Sequence, residues 1–335
     1  MKPLIFFDPF PRTQAMVFTP EVRETLGRVA RLQSHFGSRA PDELVEKVLP
    51  EVEVIVGQTA MPKRRLDRAP KLRAILNVKA NWEPDIDYLE AHRRGIYVLS
   101  AAPAMAPAVA EACVGYAIAL SRRFLDVERD FRRATERYGI AANGDAYSLY
   151  GANVGFVGFG NLARELLPLL TPFGCRVTVH DPWLSRRFLE VHGTASADLD
   201  TVLGTSRFLF ILAGHTSENE GFLDREKLEK IPHDASVVLV SRAAVVDFEA
   251  FVDMASTGRF RAAVDVFPEE PVPAQAPFRS AANILFTSHV AGGLHASYER
   301  IRDMMLDDIQ QILAGYAPLR MQRADPHLAA MMRSR

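Results

Sequence analysis

The sequence has little cysteine: two residues in 335, Cys113 and Cys175, and neither falls in a metal-ligand spacing. Two thiols cannot build a disulfide framework, so the chain reads as one made for a reducing, cytoplasmic setting, with no metal site expected. It also lacks an excess of either charge, since 40 Lys and Arg meet 41 Asp and Glu for a formal net charge of −1. No global field would draw such a chain to nucleic acid or to a membrane surface. No apolar stretch is expected to reach the roughly 20 residues that a membrane span needs. Residues 1–8 run too soon into Asp8, Pro9 and Pro11 for a signal peptide, and read instead as a first strand. Internal repeats and low-complexity tracts are absent as well. What remains is a globular composition, 48% hydrophobic and 24% charged, with a length that suits two domains.

Periodicity sorts the first hundred residues into short apolar runs separated by helical patterns. Strands are expected at residues 4–7, 52–56, 72–78 and 96–99. Helices are expected from Thr19, a cap followed by Pro20 in the first turn, and over residues 41–48 and 87–94. Strands alternating with helices imply a parallel sheet, here a small flavodoxin-like unit. Residues 101–107, rich in Ala and Pro, read as a hinge. Residues 108–133 read as one long helix with Val109, Cys113, Tyr116, Leu120 and Phe124 on one stripe, and 137–150 as a loop. A second alternating region opens at Asn153, with strands expected at 154–157, 176–180, 208–212, 237–240, 262–266 and 283–287. Six strands with interleaved helices describe a doubly wound sheet. A last helix, 296–314, is expected to return to the first domain. The expected fold is therefore α/β in two domains. A Rossmann dinucleotide-binding domain, residues 104–293, is inserted into a flavodoxin-like substrate domain of residues 1–103 plus 294–320. A mobile tail, 321–335, is expected to follow.

The sharpest local signal is the run Val154-Gly155-Phe156-Val157-Gly158-Phe159-Gly160-Asn161-Leu162-Ala163, a G-x-G-x-x-A turn between a strand and a helix. Gly158 permits the tight turn, Gly160 lets the backbone approach a pyrophosphate, and Ala163 allows close helix–strand packing. The phosphates would rest on amides at the positive helix end, which makes Gly158, Gly160, Asn161 and Leu162 the candidate cofactor set. The next strand ends at Asp181, where a carboxylate would accept from the adenosine ribose hydroxyls and repel a 2′-phosphate. That favours NAD over NADP. Arg186 and Arg187 follow closely and read as solvated surface charges. Pro168 is expected to bend the helix after the turn.

Three later segments put polar residues at strand exits, where ligands bind in open α/β sheets. They are Ser241-Arg242-Ala243-Ala244-Val245-Val246-Asp247, Asp265-Val266-Phe267-Pro268-Glu269-Glu270-Pro271, and Thr287-Ser288-His289-Val290-Ala291-Gly292-Gly293. Together with Val109-Ala110-Glu111 and the glycine turn, this ordered set resembles the D-isomer-specific 2-hydroxyacid dehydrogenases, over about residues 72–315. The resemblance implies that Arg242 binds the carboxylate and carbonyl of a small 2-keto acid, that Glu270 pairs with the acid/base His289, and that Asp265 meets the nicotinamide carboxamide. It also implies a substrate loop at Ala80 and Asn81 whose backbone amides hold the carboxylate, and a homodimer formed through the long helix. The chemistry needs such residues. Hydride delivered to a carbonyl carbon makes the oxygen basic, and a histidine, with a pKa near ~6.5, can protonate it. A neighbouring carboxylate orients the ring, and the planar arginine fork matches a substrate carboxylate.

Some positions depart from the family pattern. Ala243 and Ala80 stand where glycine is usual, Ser288 where proline is usual, and Asn81 adds a side-chain donor. These changes leave the reaction type intact and the substrate open. Lys79, Trp82 and Trp183 read as packing or surface residues, and His35, His92, His180, His192, His215, His233, His295 and His327 as structural. A reading from another class is an NAD(H)-sensing binding protein of the same architecture without significant turnover.

Overall fold

The run Leu4–Asp8 (β1) is buried at every position, as a strand covered on both faces by helices must be. A computed structural model of the chain describes residues 2–332. It places β1 in a sheet with Arg31–Ser34 (β2), Val52–Gly57 (β3), Ala74–Asn77 (β4), Tyr97–Ser100 (β5) and Gln322–Arg323 (β13). The order is β13-β5-β4-β3-β1-β2, parallel except for β13, which runs antiparallel along β5. Taken without β13, this is the flavodoxin-like 2-1-3-4-5 order. Successive side chains go to opposite faces. Phe7 packs with Phe18, Leu26, Met305 and Ile309, whereas Phe6 packs with Leu49, Ile55, Trp82 and Tyr88.

The second sheet holds Asn153–Val157 (β6), Arg176–His180 (β7), Ala195–Ser196 (β8), Phe208–Ile211 (β9), Ser236–Leu239 (β10), Arg261–Val264 (β11) and Ile284–Phe286 (β12). Its order is β12-β11-β10-β9-β6-β7-β8 with every pairing parallel. This is the Rossmann arrangement, which reverses direction between β6 and β9. Register sets which loops meet. Val157 lies opposite both His180 and Ile211, so the chain leaves β6, β7 and β9 at one level, and the loops after them are neighbours.

The chain divides into two compact units. One takes in the residues up to Ala106, the segment Thr216–Glu218 and the described residues from Leu294 on; the other is Pro107–His215 with Asn219–Gly293.

Several elements differ from the sequence reading. The expected hinge at residues 101–107 is mostly helical, forming the opening turns of the helix Ala102–Ser121, and the boundary between the two compact units falls within it, between Ala106 and Pro107. Ser100 Oγ accepts from the Ala102 amide at 3.2 Å, and Pro103 falls in the first turn, where its missing donor costs nothing. That helix is long and apolar enough to cross a membrane, by length and composition only, which corrects the expectation that no stretch reaches that size. Half of it is buried inside the fold, where Cys113, Ala117 and Leu120 join the core. The single helix expected to residue 133 breaks at Arg123, which takes a left-handed φ of 54°, and resumes as Phe124–Arg132. The Arg123 guanidinium bridges Asp126 at 3.1 Å and Asp145 at 2.8 Å, and these bonds hold the break.

The expected tail is also structured as far as it is described. Asp308, fully buried on the helix His295–Leu313, accepts the amides of Leu319 at 2.7 Å, Arg320 at 3.0 Å and Met321 at 2.7 Å. This turns the chain into β13, and the helix Pro326–Met331 follows, capped by Asp325. Residues 333–335 of that tail, and Met1 of the first expected strand, lie outside the described residues.

Candidate active site

Where β6 ends, Gly158 takes a φ of +94°, and a Cβ there would stand 2.7 Å from Ala213 Cα. Only glycine lets the turn cross so close to the chain leaving β9. Gly160 then opens the helix Asn161–Leu170 and has no side chain with which to cap its first-turn amides. A Cβ on Gly160 would project into open space, with nothing within 4 Å. Amide donors at a helix start, fronted by an open cradle, suit an anion such as a pyrophosphate.

Asp181 completes this corner. Its Oδ2 accepts from the Phe159 amide, the middle residue of the glycine turn, at 2.8 Å, and its Oδ1 accepts from Trp183 N at 3.0 Å. Each oxygen keeps a further lone pair. The Phe159 amide thus ties Asp181 to the turn that holds Gly158, Gly160, Asn161 and Leu162, and amide donors beside a carboxylate acceptor are the groups a diphosphate and a ribose would need. Arg186 is committed to Glu190 at 2.7 Å. Trp183 is about half exposed beside Asp181.

The three polar segments leave adjacent parallel strands, β10, β11 and β12, at their carboxyl ends. Arg242 follows β10 in extended conformation, with Nη1 donating to Ser241 O at 2.6 Å. Burial pushes its guanidinium down from its ordinary value, and the Glu270 carboxylate opposes that effect. Asp265 follows β11 and is 1% exposed. Its Oδ1 accepts from Thr287 Oγ1 at 2.6 Å and Val290 N at 3.0 Å, and its Oδ2 from Ala291 N at 3.1 Å. Asp265 therefore anchors the segment after β12.

His289 stands on that segment with a left-handed φ of 55°. Its Nδ1 lies 2.6 Å from Glu270 Oε2, while Glu270 Oε1 accepts from Phe267 N at 3.0 Å. The spacing to Pro271 selects Glu270 over Glu269, and Glu270 is the residue that meets the imidazole. With Nδ1–H donated to a carboxylate, Nε2 is the nitrogen left to exchange a proton with another molecule. Both side chains are accessible, 46% for His289 and 36% for Glu270. The arrangement is an accessible imidazole backed by a carboxylate, a pair able to exchange a proton, and the desolvated cation Arg242 is near enough to feel that carboxylate.

Ala80 and Asn81 belong to the other unit, in the loop after β4. Asn77, buried at the end of β4, organises that loop. Its Oδ1 accepts from Lys79 N at 2.8 Å, and its Nδ2 donates to Asn81 O at 2.6 Å. Lys79 Nζ reaches the buried Glu83 at 3.0 Å, and Arg39 reaches the same carboxylate at 3.3 Å. Sequence reading takes Asn77 and Glu83 into the substrate loop without giving either a role, and it places Tyr116 only on an apolar stripe, not as a polar group. A polar residue ending the apolar run 74–76 was the available signal for Asn77. Tyr116 gave none, because its OH contact at 2.9 Å is with Thr287, 171 residues away.

The model of the family described as D-isomer specific 2-hydroxyacid dehydrogenase, NAD binding domain, matches residues 114–291, a stretch that contains β6 to β12. The glyoxylate reductase of Thermofilum pendens is 28% identical over 262 residues, 76% of this chain and 75% of its own length. Glyoxylate/hydroxypyruvate reductase B of Pectobacterium atrosepticum is 26% identical over 298 residues, 85% of this chain and 91% of its own. A crystal structure described as a phosphoglycerate oxidoreductase from Rhizobium etli matches with a TM-score of 0.85 at 35% identity, covering 97% of this chain and 99% of that one. The turn, the strand order and these matches agree: the chain belongs to the D-isomer-specific 2-hydroxyacid dehydrogenases, oxidoreductases with a Rossmann NAD-binding domain.

Proposed function

We propose that this enzyme reduces a small 2-keto acid to the D-2-hydroxy acid with NADH, and catalyses the reverse oxidation with NAD. The observation that carries the reading is the 2.6 Å His289–Glu270 pair on the strand exits next to Arg242. Arg242 binds the substrate carboxylate and polarises the carbonyl, and its desolvation strengthens both interactions. His289 Nε2–H gives its proton to the carbonyl oxygen, and Glu270 stabilises the imidazolium and fixes the ring. In the oxidative direction the unprotonated Nε2 takes the hydroxyl proton. The bound nicotinamide supplies or accepts the hydride.

The glycine turn with Asn161 and Leu162 would hold the diphosphate, Asp181 the adenosine ribose, and Asp265 would meet the carboxamide while its carboxylate braces the His289 segment. The amides at Ala80 and Asn81 take the substrate carboxylate. Asp181 supports NAD over NADP, since its charge would repel a 2′-phosphate. The names of the relatives point to glyoxylate and hydroxypyruvate as substrates to try first. A homodimer, as the family resemblance implies, is supported by exposed apolar residues around the helix Phe124–Arg132. Phe131 is 65% exposed, and Ile140 on the following loop is 84% exposed. Two free thiols, with Cys113 buried, suit a cytoplasmic enzyme.

The test is steady-state oxidation of NADH and of NADPH with glyoxylate, hydroxypyruvate and larger 2-keto acids. Turnover with at least one acid supports the reading. NADH binding without turnover on any of them would favour the nucleotide-sensing alternative.

A further inference from the structure

His289 holds a left-handed backbone, φ 55°, a conformation that a residue with a Cβ keeps only where its surroundings enforce it. Its own side-chain bond to Glu270 aims the ring and does not fix that backbone. The enforcement comes from the residues on either side. Thr287 N continues the β11–β12 ladder by donating to Val264 O at 3.0 Å, and Asp265 N donates to Leu239 O at 3.0 Å. The Asp265 carboxylate then takes the amides of Val290 and Ala291, so the chain is pinned immediately before and immediately after His289.

A buried carboxylate can rotate about χ2, and rotation would trade those two amides for other partners. Thr287 stops it. The Thr287 hydroxyl has one hydrogen, and an ionised carboxylate only accepts, so the 2.6 Å contact uses that hydrogen toward Asp265 Oδ1. The Thr287 oxygen is then an acceptor, and the 2.9 Å contact with Tyr116 must run from the tyrosine O–H. Burial pushes the Tyr116 phenol up from its ordinary value, the Thr287 hydrogen bond pulls the other way, and the nearby Asp265 charge adds to the rise. A one-directional chain of hydrogen bonds results, from the helix Ala102–Ser121 through Thr287 to Asp265.

We infer that Tyr116 and Thr287 are positioning residues for the acid/base: they lock the Asp265 carboxylate in the orientation that clamps the 287–291 segment and so presents His289 to Glu270 and to the substrate. The inference rests on the proposed role of His289. It adds that the geometry of that histidine is set from the long helix, by a tyrosine whose hydroxyl is spent on Thr287.

The experiment compares Thr287→Val, Thr287→Ser and Tyr116→Phe with the wild type and with His289→Ala. It measures kcat and KM for glyoxylate or hydroxypyruvate, NADH affinity by fluorescence, and the melting temperature. Misplacing an acid/base by about 1 Å can cost roughly 10²-fold in rate. Thr287→Val is therefore expected to lose on the order of 10- to 100-fold in kcat, with a much smaller loss of NADH affinity, since the glycine turn and Asp181 are untouched. Tyr116→Phe should lose severalfold, and Thr287→Ser, which restores the hydroxyl, should return to within about threefold of wild type. If Thr287→Val turns over like the wild type, the inference is overturned. A Thr287→Ser variant as slow as Thr287→Val would also overturn it, because the lost methyl and not the hydroxyl would then matter. If Thr287→Val does not fold, Thr287→Ser and Tyr116→Phe decide the matter by the same criteria. The His289→Ala arm separates the two claims. A dead His289→Ala beside a fast Thr287→Val removes only the positioning chain, whereas an active His289→Ala removes the acid/base reading itself.

Discussion

At the residue scale, two carboxylates do different work because their surroundings differ. Asp265 spends its oxygens on Thr287, Val290 and Ala291 and is shut away from solvent, whereas Glu270 stays accessible and meets an imidazole. Asp181 is intermediate, holding two amides and retaining lone pairs toward the open cradle of Gly160. On the proposed reading, its charge is what would favour NAD over NADP. Asp181→Asn keeps an acceptor for the Phe159 amide and removes the repulsion of a 2′-phosphate. The ratio of kcat/KM for NADH to that for NADPH should fall by roughly tenfold or more, since hydrogen bonds to a charged group contribute about 1.5–3 kcal/mol. An unchanged ratio in initial-rate measurements with both cofactors would remove Asp181 from the ribose site. The polar residues of the strand exits were legible in the sequence because they interrupt apolar runs. Their anchors were not: Tyr116 reads as one more member of an apolar stripe, and Asn77 as the end of a strand.

Among the elements, those with strong local rules could be read from the chain. Thr19 caps the helix Pro20–Val29, accepting from Val22 N at 3.4 Å, and Pro20 sits in its first turn. β7 was read to the residue, because alternation and the following Asp181 mark it on both sides. β2 and β8 were missed. β2, Arg-Leu-Gln-Ser, has a single apolar residue and is a strand only because β1 offers it an edge, with Ile5 opposite Leu32. The segment after Leu313 failed for a related reason, since its order comes from a buried carboxylate elsewhere. Asp308→Ala leaves the amides of Leu319, Arg320 and Met321 without their acceptor. Met321 is buried, and a buried donor so stranded costs about 1–3 kcal/mol, so the variant should lose on the order of 2 kcal/mol. Denaturant unfolding measures this, and hydrogen exchange at residues 319–323 should quicken. Unchanged stability would mean that the tail turn holds itself.

For the whole molecule, the alternation of strands and helices gave the fold class, and the strand orders follow from it. A doubly wound parallel sheet with right-handed crossovers has few alternative arrangements once the glycine turn marks its first strand. What periodicity could not reveal is where the apolar surface goes. Phe124, Leu125, Phe131, Tyr138 and Ile140 are each about half exposed or more, a patch that a second copy would cover. Light scattering should therefore give a dimer of the 37.2 kDa chain. The double variant Phe131→Asp with Ile140→Asp should shift it toward monomer at micromolar concentration, and a wild-type monomer would contradict the assembly.

On the proposed mechanism, a proton passes through His289 each time a hydride moves. Comparing turnover of NADH with the best 2-keto acid in wild type and in His289→Ala, with NADH affinity measured alongside, tests it most directly. Loss of about 10²- to 10⁴-fold in kcat with the nucleotide still bound is the predicted result. Near-wild-type turnover in the variant would contradict the account.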